Sequence, residues 1–379
     1  MLYNTDKGVK MQILILANHG IGLYKFRREL MTKLCDEHTV YIALPETEFI
    51  PELKELGCIY IKTEFERRGV NPFADLKLIQ TYKHLIKKLK PDLVLSYTIK
   101  PNVYGGIACS QTKTPYIANI TGLGTAMENG GILSHITKTL YKTGLKKAHC
   151  VFFQNEHNRE LFFKHRLLNP TAHTRLIPGS GVNLESNIVE EYPTGDSQVR
   201  FLFVGRIMRD KGIDELLEAI YLIKKDYPNT FLDIVGECEE SYEPVLRRYE
   251  KEGLIKYHGF QKDVHKFYKE AHCVILPSYH EGMANVLLEA AATGRPVIAT
   301  NIPGCAETFD EGITGFGCEP KRSISLAKAM NSFMKLSNED RRQMGISGRM
   351  KIEKEFDRNI VLDRYFEEIN KIKKKYKEK

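Results

Sequence analysis

Short apolar runs alternate with amphipathic or polar segments along almost the whole chain, and that alternation leaves few folds open. The first series is QILILAN (12–18), TVYIAL (39–44), CIYIK (58–62), DLVLSY (92–97), PYIANI (115–120) and HCVFFQ (149–154). After Ile177-Pro178-Gly179 comes a polar stretch, Val182 to Ser197. A second series then follows: RFLFVG, TFLDIVG, LIKYHG, HCVILP and RPVIAT. Such runs, bounded by turn residues, read as strands buried on both faces, and strands alternating with helices predict parallel α/β sheets. A chain of 379 residues is long for one core and comfortable for two of about 180–190 residues. The expectation is therefore two doubly wound α/β domains, 1–183 and 198–379, joined by a linker at 184–197 and facing each other across a cleft. Residues 1–10 are polar, so the folded part is expected to begin near Met11. The last stretch, DRNIVLDRYFEEINKIKKKYKEK, reads as a long charged helix.

Composition narrows the function classes. Hydrophobic residues make up 42% and charged residues 27%, which excludes a disordered chain. No stretch approaches the ~20 apolar residues that cross a bilayer, and no signal peptide opens the chain, so a cytoplasmic protein is expected. The eight cysteines contain no CxxC pair and read as reduced; neither a disulfide framework nor a zinc site is expected. Residues 1–190 hold 25 Lys+Arg against 17 Asp+Glu, or +8, and residues 191–379 hold 31 against 31, or zero. Part of this excess lies on 81–90 (TYKHLIKKLK) and 136–149 (ITKTLYKTGLKKAH). In the second, Ile132, Ile136, Leu140 and Leu145 can share a face while Lys138, Lys142, Lys146 and Lys147 project elsewhere. Two readings stay open: a solvated basic face, or attraction to anionic lipid headgroups or a polyprenyl diphosphate. Nucleic acid is not an expected partner, because no motif or aromatic ladder for it is present.

Most of the chemistry is concentrated in PSYHEGMANVLLEAAATGRPV, 277–297. Glu281 opens a Gly-containing turn after an apolar strand, and Glu289 lies roughly two helical turns further on, able to face the same side. Such a pair can hold a sugar at one end and a ribose at the other, with helix-terminal N–H groups between them for phosphate. Glu289 alone would equally suit a surface helix. The second element is FLFVGRIMRDKGIDELLEAI: Gly205 permits a tight strand exit, and Arg206 and Lys211 stand where strand gives way to helix. Two cations there suit a diphosphate, although a lone Arg or Lys is commonly a solvated loop charge. The combination carries the reading. Near the N-terminus, GIG at 20–22 is only half of a GxGxxG, since position 25 is Lys, so it fails as a dinucleotide fingerprint.

The pattern GR…KG, a strand ending in VGE at 235–237, HGF at 258–260 and EG…LEA…G.PV resembles the nucleotide-sugar-dependent glycosyltransferases of family 4. The resemblance covers most of the chain and is most specific over 200–318. It implies the GT-B fold, two Rossmann-like domains, and transfer with retention of anomeric configuration. It also implies that the beginning of the terminal charged helix could cross back onto the N-terminal domain. The stretch 96–126 further resembles bacterial enzymes that build capsule, O-antigen or lipid-linked oligosaccharides. By resemblance, Arg206 and Lys211 stabilise the leaving diphosphate, Glu281 binds sugar hydroxyls and Glu289 grips the ribose diol. Gly205, Gly282, Met283, Ala284 and Asn285 form the donor cradle, and Phe260 with Gln261 sits against the base. Gly20 or Gly22 lets the first domain approach the donor phosphate; Gly22 is favoured. The sequence lacks a DxD motif, in keeping with metal independence and no cofactor beyond the nucleotide sugar.

Many relatives place a histidine near the sugar where this chain has Asn119-Ile120-Thr121-Gly122-Leu123-Gly124. The acceptor-side candidates are therefore Thr98, Lys100, Asn102 and Thr121, with Asn119 and Tyr104 nearby. Each would equally serve as a loop residue making local hydrogen bonds. The implied donor is a UDP-sugar (galactose, N-acetylgalactosamine, N-acetylglucosamine or glucose), with GDP second. The implied acceptor is a polyprenyl-diphosphate-linked glycan or a polysaccharide, at the inner face of the plasma membrane. A sugar-nucleotide epimerase, a phosphorylase and a non-catalytic nucleotide-sugar-binding protein are the alternatives, and the EG…LEA context fits neither of the first two well.

Overall fold

The computed structural model describes residues 10–65, 71–122, 131–195, 198–239 and 241–377, without the side chains of 131–134 and 375–377. The expectation for the first nine residues lies outside these, as does the side chain of Ile132 in the proposed apolar stripe. The described chain forms two units: residues up to Ser180 together with those from Val361 onward, and Gly181–Ile360.

The first unit is built on a sheet ordered β3-β2-β1-β4-β5-β6-β7. Its strands are β1 (Gln12–Leu16), β2 (Thr39–Leu44), β3 (Ile59–Lys62), β4 (Leu93–Tyr97), β5 (Tyr116–Ile120), β6 (Cys150–Phe153) and β7 (Thr174–Leu176), all paired in parallel. Alternation along β1 divides the core. Ile13 and Ile15 join one buried cluster, Leu14 and Leu16 the cluster on the opposite face. Both faces are thus covered, which is why the strands read as unbroken apolar runs. The terminal helix Arg358–Lys377 supplies Val361, Leu362, Tyr365, Phe366, Ile369 and Ile372 to the Ile13/Ile15 side. It is therefore part of the first core.

The second sheet is ordered β10-β9-β8-β11-β12-β13. Its strands, again parallel, are β8 (Val199–Val204), β9 (Thr230–Val235), β10 (Lys256–Tyr257), β11 (Cys273–Leu276), β12 (Val297–Thr300) and β13 (Gly315–Cys318). The polar stretch before β8 is bound along this unit. Buried Arg295 donates to the carbonyls of Glu190 (3.2 Å) and Glu191 (2.7 Å), and the Tyr192 hydroxyl to that of His272 (2.8 Å).

The helix Gly131–Leu145 corrects the expected stripe. Of the expected stripe, Ile136 is 40% exposed, Leu140 is half-buried and Leu145 is buried, while Thr137, Tyr141 and Gly144 are buried as well. Two glycines explain the rotation: a Cβ on Gly144 would lie 2.6 Å from the Val103 carbonyl, and one on Gly106 would lie 2.0 Å from the Gly144 carbonyl. Backbone contact this close turns Gly144 inward, and the stripe follows it. All eight cysteines are free, Cys35 and Cys58 having their sulfurs 3.5 Å apart.

Candidate functional site

In an open parallel sheet, ligands bind beyond the carboxyl ends of the strands, where the strand order reverses. In the second sheet that point lies between β8 and β11. The loops leaving these strands, 205–212 and 277–284, carry Arg206, Lys211 and Glu281.

Backbone contact locks the two loops together. The Tyr279 N–H donates to the Asp210 carbonyl (2.9 Å), as does the Ser278 hydroxyl (3.3 Å). Gly212 has φ 72°, and a Cβ there would stand 2.1 Å from the Pro277 carbonyl. Only glycine fits both the left-handed conformation and the gap. Gly212 directly follows the Arg209–Lys211 turn, so the constraint delivers the Lys211 side chain to the neighbouring loop. Its ammonium contacts the Glu281 carboxylate directly, the two side chains being 18% and 14% exposed. Partial removal from water makes these charges interact more strongly than a surface pair. Gly304 presses from a third side: at φ 88°, its Cβ would lie 2.7 Å from the Glu281 carbonyl.

Gly205 is less demanding than the sequence suggests. Its N–H donates to the Val235 carbonyl (3.0 Å). The strained position is Gly236, φ 151°, whose Cβ would fall 1.7 Å from the Gly205 carbonyl. The Arg206 guanidinium bridges to Glu239 at 3.0 Å, with half its side chain exposed. The donor-cradle residues also divide. Gly282 lies beside Gly304. The Met283 side chain is buried with Val182, Leu288 and Ile352. The Ala284 N–H is taken by the Gly304 carbonyl (2.8 Å) and that of Asn285 by Met283 (3.0 Å). The helix Asn285–Ala292 therefore begins with part of the expected amide cradle already bonded. The Asn285 Oδ1 is buried without a partner.

Glu289, on that helix, accepts a hydrogen bond from the Tyr268 hydroxyl at 3.0 Å. The HGF turn is braced from below: buried Asp233 meets His258 Nε2 at 2.6 Å and Arg200 at 2.8 Å. Gln261 closes the turn by donating to the His258 carbonyl (2.8 Å), so its amide serves the loop itself. Phe260 is left 54% exposed.

In the first sheet the order reverses between β1 and β4, which places Gly22 and the Thr98–Lys100 loop at its carboxyl-end switch point. Local contacts engage most of the residues expected there. The Gly22 N–H donates to His19 Nδ1 (3.0 Å) and its carbonyl accepts from Arg27 (2.9 Å). Lys100 is paired with Asp75 at 3.0 Å, the side chains 12% and 8% exposed. Burial and the adjacent Asp75 push the Tyr104 phenol up. Asn102 is a buried brace: its Oδ1 accepts from Ser96 (2.8 Å) and its amide donates to the Asn119 carbonyl (2.7 Å). Thr98 holds a left-handed φ of 73°, an uncommon strain for a β-branched residue. Thr121 follows β5, half-buried.

Among the described residues, Cys150, His173 and Glu368 form a grouping of metal-ligand type. Glu368 there already accepts from Lys371 (2.7 Å) and Arg175 (3.1 Å), cations that oppose a bound metal ion.

Two family models match the chain: "Glycosyl transferase 4-like" over residues 12–155 and "Glycosyl transferases group 1" over 185–351. The chain is 28% identical over 372 residues to the N,N'-diacetylbacillosaminyl-diphospho-undecaprenol alpha-1,3-N-acetylgalactosaminyltransferase of Campylobacter jejuni, covering 94% of this chain and 97% of that one. It is 29% identical to the capsular polysaccharide biosynthesis glycosyltransferase CapM of Staphylococcus aureus, covering 78% and 80%. Among solved structures, Anabaena HepE in complex with UDP superposes with a TM-score of 0.77 at 17% identity, over 95% of this chain and all of that one.

Proposed function

We propose, for a chain that belongs to the group 1 and 4-like glycosyl transferases with the GT-B fold, the transfer of a sugar from a UDP-sugar to a lipid-linked or polysaccharide acceptor in bacterial surface glycan synthesis. The carrying observation is the Lys211–Glu281 contact, held at the switch point of the second sheet by the Gly212–Pro277 approach. A cation beside a carboxylate at that place suits a diphosphate and the sugar attached to it. Lys211 offsets charge as it grows on the leaving diphosphate, and Arg206 joins it, since an exposed bridge such as that to Glu239 exchanges at little cost. Glu281 accepts hydrogen bonds from sugar hydroxyls, Glu289 from the ribose diol, and the exposed Phe260 ring lies against the base.

In the reaction the bond from the sugar C1 to the phosphate oxygen breaks and a bond from C1 to the acceptor oxygen forms. The acceptor proton passes to the departing phosphate oxygen, and attack on the face being vacated retains configuration. The N-acetylgalactosaminyl relative, aligned over nearly all of both chains, puts N-acetylgalactosamine first among the four sugars and an undecaprenyl-diphosphate-linked glycan first among acceptors. The HepE complex supports UDP as the base. Such an acceptor places the protein peripherally at the inner face of the plasma membrane. No helix among the described residues is long and apolar enough to cross a membrane.

The test is an assay of UDP-sugars against undecaprenyl-diphosphate-linked acceptors, with the product's anomeric configuration read by NMR. Glu281→Ala should lower turnover at least about 100-fold while UDP affinity stays within about threefold. Turnover unchanged in Glu281→Ala rules out this donor site.

A further inference from the structure

We infer that Tyr268 is a positioning residue for nucleotide recognition, acting through Glu289; the inference rests on the reading of Glu289 as the ribose-facing carboxylate. Tyr268 lies in the short helix His265–Glu270 and is wholly buried, and a buried phenol that lacks a partner is costly. Its hydroxyl donates to Glu289 Oε2 at 3.0 Å. Burial first, and the Glu289 carboxylate second, hold the phenol's pKa well above its usual value, so it remains a donor.

The phenol is itself fixed from behind. Arg295, fully buried, donates through Nε to the Tyr268 carbonyl (2.8 Å) and through a terminal nitrogen to the Lys269 carbonyl (3.2 Å). The His265 ring packs edge-on against the Tyr268 ring, centroids 6.4 Å apart. Arg295, the end of the short helix, Tyr268 and Glu289 thus form one chain of contacts leading from the interior to a carboxylate on the 285–292 helix.

A glutamate side chain has three rotatable bonds, and ordering them opposes binding. A charge-assisted bond from a rigid donor removes much of that freedom before a ligand arrives. A carboxylate so held keeps its two oxygens in a fixed plane, and two neighbouring hydroxyls on a five-membered ring match their spacing. The ligand class selected is a ribonucleoside diphosphate over one that lacks the vicinal diol.

The experiment compares UDP with its 2′,3′-dideoxy analogue by calorimetric titration of the full chain. Wild type should bind UDP roughly tenfold or more tightly. In Tyr268→Phe that preference should shrink about fivefold, with affinity for the dideoxy analogue unchanged. In a Glu289→Gln background, adding Tyr268→Phe should leave the preference where Gln alone sets it, and thermal unfolding of the same samples confirms that each variant is folded. Equal weakening of both ligands by Tyr268→Phe, or an undiminished preference, overturns the positioning role and leaves the ribose reading intact. A wild type indifferent to the diol overturns the ribose reading and this inference with it.

Discussion

At the scale of single residues, the donor site depends on glycines as much as on charges. Gly212 and Gly236 adopt backbone that side chains avoid and abut carbonyl oxygens. Gly212→Ala should therefore lower unfolding free energy by about 2–3 kcal/mol and disturb Lys211, as urea unfolding and donor affinity would reveal; a neutral substitution would show that the loops can separate freely. A second prediction concerns His272. Its Nδ1 accepts from the Arg200 N–H (3.1 Å), and burial, then the charges of Arg341, Arg295 and Arg200, lower its pKa to about 4 from 6.5. A histidine with a depressed folded pKa is protonated first in the unfolded chain. Stability should hence fall as pH drops from 6.5 towards 4, by up to about 1.4 kcal/mol per unit. His272→Gln should flatten that part of the profile; an unaltered slope would exclude His272 as its source. The sequence made Arg206, Lys211 and Glu281 legible through motifs, but not the pairing, because Lys211 and Glu281 are separated by 70 residues. The partners of Lys100 and Asn102 were illegible too: loop polar groups at β-strand ends are often satisfied locally, here by Asp75, Ser96 and Asn119. Tyr268 gave no signal, since an aromatic residue on a short helix reads as core.

At the scale of elements, unbroken apolar runs made most strands readable, while β7 and β13 escaped. Thr174–Leu176 is a half-buried three-residue edge, and Gly315–Cys318 contains two glycines, so neither shows the expected pattern. Helix faces were legible only as far as periodicity governs them; at Gly144 a backbone contact took over. The terminal helix shows what packing adds. Beyond its apolar face, its Glu368 is fully buried and accepts from Lys371 (2.7 Å), His173 (3.0 Å) and Arg175 (3.1 Å). Burial works to raise the Glu368 pKa, but hydrogen bonds from Lys371, His173 and Arg175 outweigh it and pull the carboxyl down to about 2 from 4.5. Its contribution is present above pH 4.5 and lost as pH falls from there towards 2. Glu368→Ala should cost about 3 kcal/mol at neutral pH, measured by urea unfolding. A loss below about 0.5 kcal/mol would mean that the apolar face alone holds the helix.

At the scale of the whole molecule, the excess of positive charge lies in the first unit, where some exposed apolar side chains stand beside lysines. The helix Pro72–Leu89 leaves Phe73 87% and Leu76 57% exposed beside a lysine-rich remainder, and Lys142, Lys146 and Lys147 are exposed on or just beyond the Gly131–Leu145 helix. If the acceptor is lipid-linked, vesicles with anionic lipid should bind the protein and release it as salt rises. Phe73→Asp with Leu76→Asp should weaken that binding several-fold. Equal binding to neutral vesicles would contradict an electrostatic contribution. The most direct test of the central claim, a diphosphate-sugar site at the switch point of the second sheet, is calorimetric titration of wild type and Lys211→Ala with UDP and UDP-N-acetylgalactosamine. The account predicts one site per chain in wild type and an affinity loss of at least about tenfold in the variant. Undiminished affinity in Lys211→Ala, or no binding of either ligand to wild type, would contradict it.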